Sequence, residues 1–152
     1  MPDISPMQIN RGAVILCDHL DQMANGKWLI VGTYTRLMAS QPTWTFPSGL
    51  AIYLRFQVEQ TGSYDVTIRL ILLDRPPTSP PVIRNDFKAQ VLDVHHPVEM
   101  GIRTPPFTVH FPGDFNALQP GQAVPVRFAI WAEVGGCELS STPLTVVFSK
   151  PA

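Results

Sequence analysis

Two short stretches bring metal- and proton-handling side chains close together: Asp18, His19 and Asp21 early in the chain, and Asp93 with His95 and His96 later. Imidazole and carboxylate suit zinc, iron or manganese, and a catalytic centre keeps three protein ligands and one open position. The spacing argues against such a centre. Adjacent histidines on an extended chain point to opposite faces, and no H-x-H or H-E-x-x-H pattern is present. Asp18 reads instead as the residue that caps a first strand, and His95-His96 as part of a loop ahead of Pro97. Asp18, Asp21, Asp74, Asp86 and Asp114 fall near strand ends, but no acidic run joins them into a calcium loop. Cys17 and His19 would make a nucleophile and base only if the thiol were accessible and electropositive in setting, whereas Cys17 ends the apolar run GAVILC. No G-x-S-x-G elbow surrounds Ser63, Ser79, Ser140 or Ser141. Glu59, Glu99, Glu133 and Glu138 are uncoupled in sequence, and no Gly-rich loop opens a helix to cradle phosphate. No catalytic residue, metal or cofactor is assigned.

Surface recognition leaves a clearer trace. Tyr53 and Arg55 lie out of phase with an apolar strand face, as do Arg69 and Ile71 in the following segment, and Arg127 and Trp131 further on. If those strands neighbour one another, Tyr53, Arg55, Arg69, Arg127 and Trp131 form a patch of the residue types concentrated at interface hot spots. The plainer alternative is that Tyr53, Ile71 and Trp131 belong to a second layer of core. Trp28, Trp44 and Tyr34 offer a different possibility, stacking surfaces for a small molecule or carbohydrate.

The 152 residues suit one domain, 1–152, with residues 1–10 a loose leading segment. Charged residues make up only 15% of the chain and hydrophobic ones 45%, a low-charge composition with few devices against association. A protein partner or self-association follows as the expected mode of action. The net charge of −1 and scattered basic residues give no footprint for nucleic acid. The first twenty residues lack a basic region followed by a long apolar run and cleavage site, and no stretch approaches the roughly 20 apolar residues of a membrane span. Two cysteines without an export signal read as free thiols of a cytoplasmic protein.

The elements that must hold these residues are strands. Leu50, Ile52, Leu54, Phe56 and Val58 alternate with Ala51, Tyr53, Arg55 and Gln57, and the beat resumes at Tyr64, Val66, Ile68, Leu70 and Leu72. Period two predicts half-buried strands, and the short Gly62-containing turn predicts that they form an antiparallel hairpin. Residues 12–17 and 27–36 flank a turn ending in Asn25-Gly26, the second being apolar on both faces as in a central or interface strand. Residues 75–81 form a proline-rich surface loop, 82–93 a weaker strand, and 107–111 a short alternating one. A closing hairpin joins 123–134 to 142–149 around Gly135-Gly136. The one helical candidate is a turn or two over 17–24. About eight strands separated by Pro and Gly predict an all-β fold, a two-layer antiparallel β-sandwich of immunoglobulin-like or C2-like type, with a closed β-barrel as the alternative.

The opening LCDHLDQMANGKWLIVGTYTRLMA, through Cys17-Asp18, Gly26-Lys27 and Leu29-Ile30-Val31-Gly32-Thr33-Tyr34, resembles a group of small uncharacterised bacterial β-rich proteins, a domain of unknown function. GSYDVTIRLILLD and VPVRFAIWAEVGGCELSSTPLTVVF are similar to the remainder of that group. The resemblance covers most of the chain and implies a bacterial origin and a β-sandwich, with no activity attached. Together the residues point to a non-catalytic binding or assembly module. A small-molecule or carbohydrate-binding sandwich and a metal-dependent enzyme around Asp18, His19 and His95 are the alternatives.

Overall fold

A computed structural model describes residues 9–73 and 81–151, so the proline-rich loop expected at 75–81 lies almost wholly outside the described residues. Among the described residues eleven strands run in order: β1 Ile9–Gln22, β2 Trp28–Thr33, β3 Arg36–Ala39, β4 Thr43–Phe46, β5 Ala51–Val58, β6 Gly62–Leu72, β7 Ile83–Val91, β8 Val98–Arg103, β9 Phe107–His110, β10 Ala123–Val134 and β11 Cys137–Ser149. A single 3-10 turn over Phe115–Ala117, capped by the Asp114 carboxylate, is the helical content among the described residues. No helix there is long and apolar enough to cross a membrane.

The strands form a four-stranded sheet, β2-β1-β5-β8, a five-stranded sheet, β3-β11-β10-β6-β7, and a two-stranded β4-β9 ribbon. The chain is all-β and curls as a half-barrel. Alternation decides which side chains meet: Val14, Leu16, Ile52, Leu54, Phe56 and Val58 from the first sheet share one core with Val66, Ile68, Leu70, Phe128, Ile130, Leu144 and Val146 from the second. Each such side chain, fully removed from water, contributes about 1.5–3 kcal/mol. The ribbon closes one end with aromatic contacts, Phe46 stacked on Phe107 at 4.7 Å and Phe111 against Phe148 at 5.5 Å.

Three sequence expectations are corrected. β5 and β6 do not pair with each other: β5 lies between β1 and β8, and β6 between β10 and β7. Residues 59–61 carry the chain from one sheet to the other, because both strands present apolar faces to the same core and need not be neighbours to do so. Residues 17–22 are not helical but continue β1, held by pairs from Cys17–Thr33 to Gln22–Trp28 across the Asn25-Gly26 turn. β2 is not a covered central strand but an edge, with Leu29 43% and Val31 47% exposed. The closing hairpin forms as expected, its Gly135 and Gly136 at φ 59° and 79°, the two positive values a tight two-residue turn demands.

The sheets are tied where the chain passes from β2 to β3. Thr145 N–H donates to Thr35 O at 2.8 Å, and Thr142 Oγ1 donates to Val14 O at 2.6 Å. Just ahead of β5 a turn brings Gly49 (φ 70°) against Thr104. Thr104, the buried polar residue of the described chain, accepts from Leu50 N–H through Oγ1 at 2.8 Å, and its own N–H donates to Leu50 O at 3.0 Å.

Candidate functional site

β6 and β10 turn Ile68, Leu70, Ile130 and Ala132 into the core, so their alternate residues face outward. Directly opposed residues of an antiparallel pair share a face. The register sets Arg69 across from Trp131, Thr67 across from Glu133 and Ile71 across from Ala129. β7 adds Arg84 beside Arg69 and Asp86 beside Thr67, and β11 adds Ser141 beside Trp131 and Thr145 beside Arg127. Three of the five residues of the expected patch, Arg69, Arg127 and Trp131, therefore occupy one outer face.

The electrostatics of that face are largely compensated. Arg84 and Arg69 are opposed, an arrangement that destabilises a sheet unless neutralised. Arg69 pairs with Glu133, and Arg84 Nε lies 2.9 Å from Asp86 Oδ2. Asp86 also accepts from Thr67 Oγ1 at 2.7 Å. That hydrogen bond and the Arg84 contact hold the Asp86 carboxyl below the usual carboxylate range. Two donors are left over. Trp131 Nε1 and Arg69 Nε are shielded from water and have no hydrogen-bond partner, a costly state for polar groups.

Tyr53 and Arg55 are not part of this face. They project from β5 away from the core on the four-stranded sheet, so the five residues split between two sheets with the core between them. Tyr53 is 7% exposed. The Trp28 indole meets its ring edge-on at 6.0 Å, and its hydroxyl donates to Glu99 Oε1 at 2.7 Å. Burial, then the Glu99 hydrogen bond, pushes the phenol up to about 12. Gly101, directly opposite Tyr53, is what admits the indole: a Cβ there would sit 2.6 Å from Trp28 Cζ3. A strand glycine without a turn marks such close approach, the one sequence signal for this packing. Glu133, Thr67 and Asp86, which complete the Arg69/Trp131 face, needed the register to be found.

The remaining candidates separate. Cys17 is 1% exposed, and its thiol is pushed up by burial and then by Asp18, the reverse of an activated nucleophile. Among the described residues no three His, Cys, Asp or Glu side chains come together as metal ligands. Asp93 instead accepts from His95 N–H at 2.8 Å and contacts His96 Nδ1 at 2.7 Å, organising the loop ahead of Pro97. Trp28, Trp44 and Tyr34 do not share a cavity. Trp28 borders a cleft of about 330 Å³ with Leu20, Gly101 and Arg103. Tyr34 borders another with Val14 and Thr142, while Trp44 packs on Phe46.

The model of a family of unknown function (DUF6941) matches residues 12–147. No curated protein matches the chain.

Proposed function

The chain belongs to the DUF6941 family of unknown function, and for it we propose a non-catalytic binding module that engages a protein partner through the outer face of the five-stranded sheet. The observation that carries this reading is the Arg69–Trp131 pair, set side by side on a face turned away from the core. Trp and Arg anchor the centres of protein interfaces because they combine large contact area with directional donors. The same proposal takes the two large sheets as layers of an immunoglobulin-like or C2-like sandwich, supported by the core they share. It places the protein in a bacterial cytoplasm, supported by the free thiols of Cys17 and Cys137.

The test compares partners retained from native extract by three proteins: the unaltered chain, Trp131→Ala with Arg127→Glu, and Arg55→Glu on the other sheet. Loss of a reproducible partner in the double variant alone is the expected result. Identical partners for all three would overturn the assignment of this face.

A further inference from the structure

We propose that the distal half of the β1–β2 hairpin roofs a cleft on the outer side of the four-stranded sheet, and that this cleft takes a small aromatic carboxylate. In a flat sheet the order β2-β1-β5-β8 would set β2 about 14 Å from β8, three spacings of about 4.8 Å. The Trp28 ring nevertheless lies 6.0 Å from that of Tyr53 in β5. A Cβ on Gly101 in β8 would meet Trp28 Cζ3 at 2.6 Å and Leu20 Cδ2 at 2.9 Å. The hairpin therefore leaves the plane of the sheet and crosses its outer face. It does so where β1 loses its second neighbour: pairing with β5 ends at Cys17–Ala51, while pairing with β2 continues to Gln22–Trp28. Gly32, at φ 70° with the Asp18 carboxylate against it, lies at that point.

The space left beneath the hairpin is the cleft of about 330 Å³, at the small end of the roughly 300–1,000 Å³ of ligand sites. Leu20, Gln22 and Trp28 border it from the hairpin, and Ala51, Gly101 and Arg103 from the sheet. Leu20, Trp28 and Ala51 supply apolar walls suited to one flat ring. Arg103 supplies the charge. It is exposed, and its guanidinium reaches Ser48 O at 3.4 Å. None of the ion pairs among the described residues includes it. A guanidinium fork matches a carboxylate in plane and in charge. The one acid among the described residues bordering the cleft is Asp21. It opposes Leu29, on the hairpin face turned away from Trp28, and its carboxylate accepts from Gln22 N–H at 2.8 Å. Glu99, the carboxylate nearest along β8, accepts the Tyr53 hydroxyl. Neither neutralises Arg103, so a ligand carboxylate is the group that completes the site.

Nuclear magnetic resonance on the full chain tests this, with Trp44→Phe and Trp131→Phe used to assign the Trp28 indole resonance. Benzoate, salicylate and phenylacetate are the probes, and benzamide is the uncharged match for benzoate. At least one of the three carboxylates is expected to shift the Trp28 resonance saturably, and benzamide to bind more weakly than benzoate. Arg103→Gln, checked for folding by circular dichroism, should weaken carboxylate binding at least about tenfold, the effect of 1.4 kcal/mol. Arg36→Gln removes the same charge from an exposed position on β3 and should leave binding unchanged. In the free protein a nuclear Overhauser contact between the Trp28 ring and the Gly101 Hα protons is expected, which tests the roof apart from any ligand. Four results would each overturn the proposal: no saturable shift from any carboxylate, benzamide bound as tightly as benzoate, Arg103→Gln indistinguishable from Arg36→Gln, or no contact between Trp28 and Gly101.

Discussion

Replacing Gly49 by alanine should be among the most damaging single-methyl changes available in this protein. The added Cβ would lie 1.9 Å from the Thr104 carbonyl oxygen and 2.7 Å from both its carbonyl carbon and Oγ1. The nearest obstacle is backbone, so relief requires the turn to move away from residue 104 by more than an ångström. That movement breaks the two hydrogen bonds joining Leu50 to Thr104, at 2.8 and 3.0 Å. Each is worth about 1 kcal/mol net, and more where a buried group is left without a partner. The φ of 70° at Gly49 adds about 1–2 kcal/mol for any residue with a Cβ. The total is about 3–5 kcal/mol, or a fall in Tm of about 10 °C for a domain of this size. Gly26→Ala is the matched control. Its φ is 82°, yet no atom lies within 4 Å of the added methyl, so it keeps only the conformational cost of about 1 kcal/mol. Urea and thermal unfolding followed by circular dichroism would compare the two directly. Equal losses in both variants would refute the assignment of the Gly49 cost to the Thr104 contact.

Gly101→Ala should shift the β1–β2 hairpin rather than unfold the chain, because its obstacles, Trp28 Cζ3 at 2.6 Å and Leu20 Cδ2 at 2.9 Å, are the ends of side chains. A cost of about 1–3 kcal/mol and a red-shifted Trp28 emission in a Trp44→Phe, Trp131→Phe background are expected, and unchanged emission would contradict the close approach. Tyr34 and Tyr53 are each pushed up to about 12, chiefly by burial, above the phenol's ordinary value of about 10. A folded-state pKa above the unfolded one gives stability that is whole below about pH 10 and is lost as the pH rises towards about 12. Denaturation midpoints measured across that window should fall, and Tyr53→Phe should make the fall shallower; a flat profile would show that the buried phenols are not responsible.

The inward faces of the strands were legible, since period two in Ile52-Leu54-Phe56-Val58 and Tyr64-Val66-Ile68-Leu70 reports burial directly. The partners of those strands were not. A face that meets a shared core looks the same in sequence whether the next strand lies beside it or across from it, and β5 and β6 turned out to lie across. β2 shows the complementary ambiguity. Apolar residues on both faces suggest a covered strand, yet the strand stands at an edge. β8 escaped notice because Glu99 and Gly101 interrupt its alternation, each for a local reason: one accepts the Tyr53 hydroxyl, the other makes room for Trp28. The candidate face was half legible for the same cause. Arg69, Arg127 and Trp131 were recognisable by phase, but only register distinguishes their sheet from that of Tyr53 and Arg55.

The position of β11 between β3 and β10 governs the order in which the protein can fold during translation. The four-stranded sheet has all its strands once Arg103 has been made. Its apolar face, with Val14, Leu16, Ile52, Leu54 and Phe56, then waits for β10 and β11 to cover it. Arg36 must likewise wait for Thr145, an interval of about 5–20 s at ordinary elongation rates. Pairings so distant in sequence form slowly, and an open apolar sheet is the kind of surface that chaperones bind. A chain ending between residues 104 and 137 would hold that sheet with its ladder complete and its core face uncovered by β10 and β11, making the late part of synthesis the vulnerable one.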